Sequence, residues 1–387
     1  MKDIVRQIKR HWKVLTALCV AATVTVIGMV MLFASEIVVT VTASEEKTEW
    51  LKTDAAPVLT AAVTSLPDGV TVSSETITWS SSNSDAVSVS PVNGNSKQGQ
   101  LVFIGAGYAT ISCTYDMVLS TGETAQRVIS RNYLVKLETT SNSFNVMQVG
   151  TGGNSQITLK TNYSSAVSDD SKLKWSSSNE DIVRVESAAG SDASIKAIGA
   201  GVATITATIA DETAPQSVSF TVLVKASFND TASVEVKPGE YTSIYEAAEA
   251  NAPNPTHLVW YTPDDGTHIT MDVMGRAEGN MAGTATVYMY TSYDYSKLSA
   301  TDWASIGVSE DKIASIINDP VKLSGYFGAQ VDVKVLFGIN GGDKVVSVGD
   351  IVPLTSNIDN TLIDSVQWSS SNNNVVEVNS KGEITAV

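Results

Sequence analysis

The sequence predicts an all-β chain, tandem β-sandwiches placed after an N-terminal transmembrane helix, and three observations carry that reading. Trp-Ser-Ser-Ser-Asn occurs three times, at Trp79–Asn83, Trp175–Asn179 and Trp368–Asn372, with a worn copy, Trp-Tyr-Thr-Pro-Asp, at Trp260–Asp264. Such self-similarity at long period marks a tandem array. Each copy is flanked by apolar/polar alternation, the two-residue period of a half-buried strand. Ahead of the array, Val14–Ala34 is an uncharged apolar run of 21 residues.

The N-terminal segment comes first. Lys2, Arg6, Lys9, Arg10 and Lys13 precede the apolar run, giving a basic cytoplasmic segment over 1–13 and a signal anchor over 14–34. At 1.5 Å per helical residue that run can cross a hydrocarbon core of about 30 Å. The one-sided basic flank places the N-terminus in the cytoplasm and the repeats outside. The alternative is a long secretory signal cut near Val41-Thr42-Ala43, which would leave the repeats secreted; the apolar run exceeds the usual signal core, so the anchor is preferred.

Each unit then repeats the same order. Strand patterns lead into the tryptophan, as in Thr76-Ile77-Thr78-Trp79, and a Ser/Asn turn and a second alternating run follow, as in Ala86-Val87-Ser88-Val89. Ser and Asn suit the turn because their side chains bond nearby backbone groups. A glycine signal recurs at Ile104-Gly-Ala-Gly-Tyr-Ala-Thr-Ile111 and Ile198-Gly-Ala-Gly-Val-Ala-Thr-Ile205, more loosely at Met281–Val287; a glycine there supplies a positive φ before the next strand. Several short strands within roughly 100 residues, with turns between them, argue an immunoglobulin-like sandwich. Trp79, Trp175, Trp260 and Trp368 are expected as structural anchors of the repeat.

The stretch from Trp-Ser-Ser-Ser-Asn through Gly-x-Ala-Thr-Ile resembles the bacterial Ig-like group 2 domain of surface proteins and of adhesins related to intimin and invasin. The resemblance is strong in units one, two and four and weaker in unit three. It implies a β-sandwich and a cell-surface setting, and brings no catalytic site with it.

The tryptophan register sets the units: 36–137, 138–226, 227–337 and 338–387. Connections are short and lack Pro/Gly/Ser linkers, so a rod reaching on the order of 100–150 Å is expected. Unit three departs from the pattern. Ser243 and Glu246 form a capping-box pattern before a short helix, and an insertion over 292–328 separates its last two strands. Within it Ser309, Glu310 and Asp311 start a helix whose face is Ile313, Ile316 and Ile317 and which Pro320 stops. Tyr293, Tyr295, Trp303, Tyr326 and Phe327 cluster in the insertion. Aromatics on a long loop suit a partner-binding surface, and they equally suit a seal between the insertion and unit three. Unit four stops 19 residues after Trp368 and lacks its last two strands. A fragment of a longer protein is the simpler account; an open sandwich accepting a strand from another chain is the other.

Charge and composition exclude several classes. Setting aside the five basic residues and Asp3 of the N-terminal segment leaves 20 basic and 40 acidic residues, a net of −20. Such a surface repels nucleic acid and anionic lipid. Cys19 lies in the apolar run, so Cys113 is alone outside and is expected as a small core residue in the register of Ala207. Only His11, His257 and His268 occur, and no zinc, P-loop or nucleophile-elbow pattern appears. Asp169-Asp170 and Asp264-Asp265-Gly266 sit in turns but lack the ligand spacing of an EF-hand loop. The expectation is therefore a non-enzymatic protein without cofactor or metal, held to the membrane by its N-terminal helix, with protein or glycan ligands at the cell surface. The competing expectation is the N-terminal stalk of a carbohydrate-active enzyme whose catalytic domain lies beyond residue 387.

Overall fold

The computed structural model describes residues 37–150, 154–164, 172–210, 214–229, 233–340, 343–358 and 366–387. The basic segment, the apolar run at 14–34 and the Asp169-Asp170 turn lie outside the described residues. No helix among the described residues is long and apolar enough to cross a membrane.

The first unit holds seven strands: β1 (Val38–Ala43), β2 (Val58–Ser65), β3 (Val72–Ser81), β4 (Val87–Val92), β5 (Asn95–Phe103), β6 (Gly107–Leu119) and β7 (Thr124–Val135). They form two sheets, β1-β2-β5-β4 and β3-β6-β7. β6 alternates buried and half-buried positions along its whole length. Its inward set (Ala109, Ile111, Cys113, Tyr115, Met117) meets Leu59, Val87 and Leu101 of the other sheet, which is the two-layer packing that period-two patterning dictates. Val39 and Val41 of β1 belong to that core. Val41-Thr42-Ala43 lies in this strand, so cleavage after Ala43 would remove β1 from the core.

The second unit repeats the plan with β8 (Phe144–Met147), β9 (Gln156–Lys160), β10 (Leu173–Ser177), β11 (Val183–Ala189), β12 (Asp192–Ala197), β13 (Gly201–Ile209) and β14 (Gln216–Val224). Its sheets are β10-β13-β14-β8 and β11-β12-β9, with β8 parallel to β14. In the third unit β15 (Val234–Val236), β16 (Tyr241–Ser243), β17 (Leu258–Tyr261), β18 (Ile269–Met271), β19 (Arg276–Gly279), β20 (Gly283–Thr291) and β21 (Gly328–Val335) give β15-β21-β20-β17 and β16-β19-β18. Short helix α1 (Ile244–Ala247) starts where Ser243 Oγ accepts the Glu246 N–H at 3.2 Å. The last unit contributes β22 (Ile339–Asn340), β23 (Ile351–Pro353), β24 (Thr355–Ser356), β25 (Val376–Val378) and β26 (Glu383–Ala386), paired as β22-β24 and β23-β26-β25.

The chain is thus mostly β, in small sheets of immunoglobulin-like sandwich arrangement, and the glycine signal has the expected cause. Gly107, Gly201 and Gly283 have φ of 147°, 148° and 152°, a region L side chains avoid. The tryptophans are not central core residues. All four are half-buried, and each ring reaches a short position on the facing layer. A Cβ on Gly99 would come 2.8 Å from Trp79, one on Gly275 2.4 Å from Trp260, and one on Gly382 2.8 Å from Trp368. Ala193 holds the matching place in unit two, six residues ahead of Gly199 as Gly99 is ahead of Gly105. The ring needs a residue with little or no side chain under it.

Candidate functional site

Two features of the chain exceed what a plain sandwich requires: the junctions between units and the insertion of unit three.

At the first junction Asn162 is 4% exposed. Its backbone N–H donates to the Glu138 carbonyl at 3.0 Å, its Oδ1 accepts the Glu138 N–H at 2.9 Å and its Nδ2 donates to the Lys136 carbonyl at 2.8 Å. Its own carbonyl accepts the N–H of Ala106, in the Gly-Ala-Gly turn of unit one, at 3.1 Å. One side chain therefore holds the linker, and its backbone ties the linker to the preceding unit. At the second junction Asn251 makes the same set: N–H to the Ser227 carbonyl at 3.0 Å, Oδ1 from the Ser227 N–H at 2.9 Å, Nδ2 to the Lys225 carbonyl at 3.2 Å, and its carbonyl from Ala200 N–H at 3.0 Å. At the third, Asn357 (4% exposed) bonds Gly338 and Leu336 in the same way and accepts from Ala282.

The first glycine of Gly-Ala-Gly has a role at these junctions that its neighbour's φ hides. A Cβ on Gly105 would lie 2.5 Å from the Ser164 backbone nitrogen, and one on Gly199 would lie 2.7 Å from the Pro253 ring. It is absent because the next unit comes that close. The first junction is further sealed by Ala106, Leu137, Leu173, Ala207 and Ile209, and Gln216 accepts the Leu137 N–H at 2.7 Å and donates to the Val135 carbonyl at 3.0 Å.

The sequence reading passed over these asparagines. They precede their tryptophans by thirteen, nine and eleven residues, so no fixed spacing exposes them. The available signal is comparative: unit one has no asparagine between Lys52 and Trp79.

The insertion forms three helices, α2 (Ala300–Ser305), α3 (Glu310–Ile317) and α4 (Pro320–Phe327). Ser299 and Asp302 make a full capping box for α2. Pro320 does end the preceding helix, but it also opens α4 at a first-turn position with Asp319 as cap, where its missing N–H costs nothing. Of the five aromatics that suit either a partner-binding surface or a seal, three lie in the interior. Trp303 and Phe327 are fully buried and Tyr295 is 4% exposed. Tyr295 stacks on Phe327 with centroids 4.4 Å apart, Trp303 meets Phe327 edge-on at 5.8 Å, and the Tyr295 hydroxyl donates to the Thr291 carbonyl at 2.6 Å. Burial pushes the Tyr295 hydroxyl pKa well up. These three rings are core, because helices this short gain stability by burying their aromatic face. Tyr293 and Tyr326 are half-buried at its margin.

The insertion does not seal against unit three alone. Its core includes Phe144 and Leu223 of unit two, with Val146 and Val202 beside them. The Ala226 N–H donates to the Phe327 carbonyl at 3.2 Å, and the buried Thr291 hydroxyl donates to the Val224 carbonyl at 2.7 Å.

Asp264, Asp265 and Cys113, singled out in the sequence, each serve the structure. Burial pushes Asp264 up, but the Ile269 N–H, the His268 ring and the His268 N–H outweigh it, so its pKa is lowered. The ring contact is 2.9 Å. Asp265 accepts the Thr267 hydroxyl. Cys113 is fully buried opposite Trp79, as Ala207 is opposite Trp175, and burial pushes its pKa up to about 11. That is an inert thiol. No group of three or more metal-ligating side chains occurs among the described residues.

No family model matches the chain, and no curated protein matches it. Solved tandem-domain structures do. Invasin, a bacterial integrin-binding protein, matches at 10% identity over 81% of this chain and 63% of its own, with a TM-score of 0.24. The C-terminal 282-residue fragment of intimin, solved with the intimin-binding domain of its translocated receptor, matches at 12% identity over 65% of this chain and 91% of its own, TM-score 0.22. Three N-terminal domains of the bacteriophage RB49 outer capsid protein Hoc match at 16% identity over 67% and 93%, TM-score 0.20. This chain spans less than two thirds of the invasin structure. At such identities and scores the likeness concerns serial sandwiches only, and no role passes from those proteins to this one.

Proposed function

We propose that this chain is a stiff stalk at a bacterial cell surface, built from bacterial Ig-like group 2 units, tethered by the apolar run 14–34, and holding an interaction surface away from the membrane. One observation carries the reading: three successive junctions are each closed by one asparagine bound to both its linker and the turn before it. A chain whose units served only as independent beads would need no such repeated closure. The net charge of −20 keeps the stalk soluble and apart from anionic lipid. Its ligands are protein or glycan in class, and Tyr293 and Tyr326, half-buried at the margin of the insertion's core, are the aromatics of the insertion that remain partly open to meet them. Its role is mechanical and adhesive, not catalytic.

Electron microscopy of the full chain reconstituted in vesicles tests the reading. Rods of uniform contour length standing off the bilayer are expected. Freely bending chains, or protein that leaves the vesicles, contradict it. Binding to a panel of matrix proteins and glycans separates an adhesive tip from a spacer.

A further inference from the structure

The row of residues at the top of the last sheet differs between units two and three. In unit two, Val202, Leu223 and Val146 lie side by side across β13, β14 and β8. Phe144, two residues before Val146, shares their face. This is the outer face, since Val222 and Val224 point into the sandwich core while Leu223 belongs to the insertion's cluster. The matching row in unit three, fixed by the glycines Gly201 and Gly283, is Thr284, Lys334 and Glu235. There Lys334 and Glu235 form an exposed ion pair at 3.3 Å. Outward positions of β14 are otherwise polar (Ser217, Ser219, Thr221), and Leu223 breaks that alternation. Leu223 is fully buried and Phe144 is 3% exposed, both under the helices of the next unit.

We propose that the insertion of unit three is a clasp. Inserted between β20 and β21, it reaches back over the outer face of unit two's sheet and couples the two sandwiches so that they deform and unfold as one body. The inference goes beyond the stalk reading and holds whatever the stalk presents. Two independent features support it. Leu223 and Phe144 of unit two are buried in the insertion's core, whereas Tyr108 and Leu134 at the same row in unit one are only half-buried and unit three has an exposed ion pair there. The backbone is also tied through Ala226 and Thr291 to Phe327 and Val224. Ala226, which bonds Phe327, is in the linker that Asn251 closes, so the clasp adds contact to a linker already held.

Hydrogen exchange on the full chain, read by mass spectrometry, tests it. In the unaltered protein the slowest amides of unit two (near Val222) and unit three (near Val333) should exchange at one shared rate with one denaturant dependence. In Leu223→Asp, amides of α2, α3 and α4 should exchange about tenfold faster or more, while inner amides of β13 around Ala203–Ala207 keep their protection. If that variant unfolds unit two, Leu223→Ala should give a smaller loss of the same pattern. Separate rates for the two units, or an insertion whose protection is unchanged in both variants, would overturn the clasp.

Discussion

The first and second junctions use the same asparagine closure, yet among the described residues only the second carries a roof. At the first, the described contacts are Asn162, Gln216, a small apolar plug around Leu137 and the close approach of Gly105 to Ser164, with no helix among the described residues over the joint. At the second, Asn251 makes the same bonds and α2–α4 add a separate core of buried aromatics. The difference separates two jobs that a stalk needs. Closing a linker removes slack in the chain, whereas bridging the faces of two sandwiches resists bending between them. Hydrogen bonds at a linker act on a short lever, and apolar contact spread over a sheet face acts on a long one.

Removing the roof is the harshest way to break the comparison. Trp303→Ala deletes a fully buried ring that makes the centre of the insertion core. A loss of about 3–5 kcal/mol is expected, measured by denaturant unfolding of the second and third units. Unfolding of the first unit should be unchanged.

The asparagines sharpen it next. Asn162→Ala leaves the Glu138 N–H and the Lys136 carbonyl without partners, a cost of about 1–3 kcal/mol. Asn251→Ala removes equivalent bonds from Ser227 and Lys225. Small-angle scattering should show greater bending for Asn162→Ala than for Asn251→Ala, because the clasp still spans the second junction. Equal bending in the two variants would mean that the helices do not share the load.

The least effect is one of pH. Asp264 is held below its ordinary pKa by His268 and Ile269, against the push of burial. A carboxyl depressed on folding adds stability that is complete above its unfolded value of about 3.9 and fades as pH falls through the lower folded value. Unit three should therefore weaken in acid, and Asp264→Asn should flatten that part of the profile in thermal unfolding against pH. Neither of the first two junctions contains this pair.

Much of the architecture was legible because it rests on local periodicity. Alternation in Gly107–Leu119 and the positive-φ glycines are dictated by backbone geometry within a few residues. The insertion's bounds followed from where alternation stopped. What stayed hidden depends on contacts between units. Asn162, Asn251 and Asn357 occupy one structural position at unequal distances from the tryptophan, since the intervening loops differ in length. Tyr295, Trp303 and Phe327 suited both a binding surface and a seal, because sequence shows where aromatics gather and not which sheet covers them. Leu223, an apolar residue on the polar beat of its strand, does not single out unit two, because Leu134 stands at the same place in unit one. Trp50 was concealed by the charged stretch around it, yet it is 1% exposed and packs on Phe103 with centroids 5.1 Å apart.

The most direct test of the account compares the two junctions in one molecule. Spin labels at the exposed positions Ser84 and Lys172 report on the first junction, and labels at Glu180 and Thr256, also exposed, report on the second. Cys113→Ala, the residue unit two carries as Ala207, and Cys19→Ser clear the background. Pulsed electron–electron distance measurement on the full chain should give a narrow distribution across the second junction and a broader one across the first. Equal widths, or a broad distribution across the second, would contradict the claim that the insertion of unit three braces the stalk.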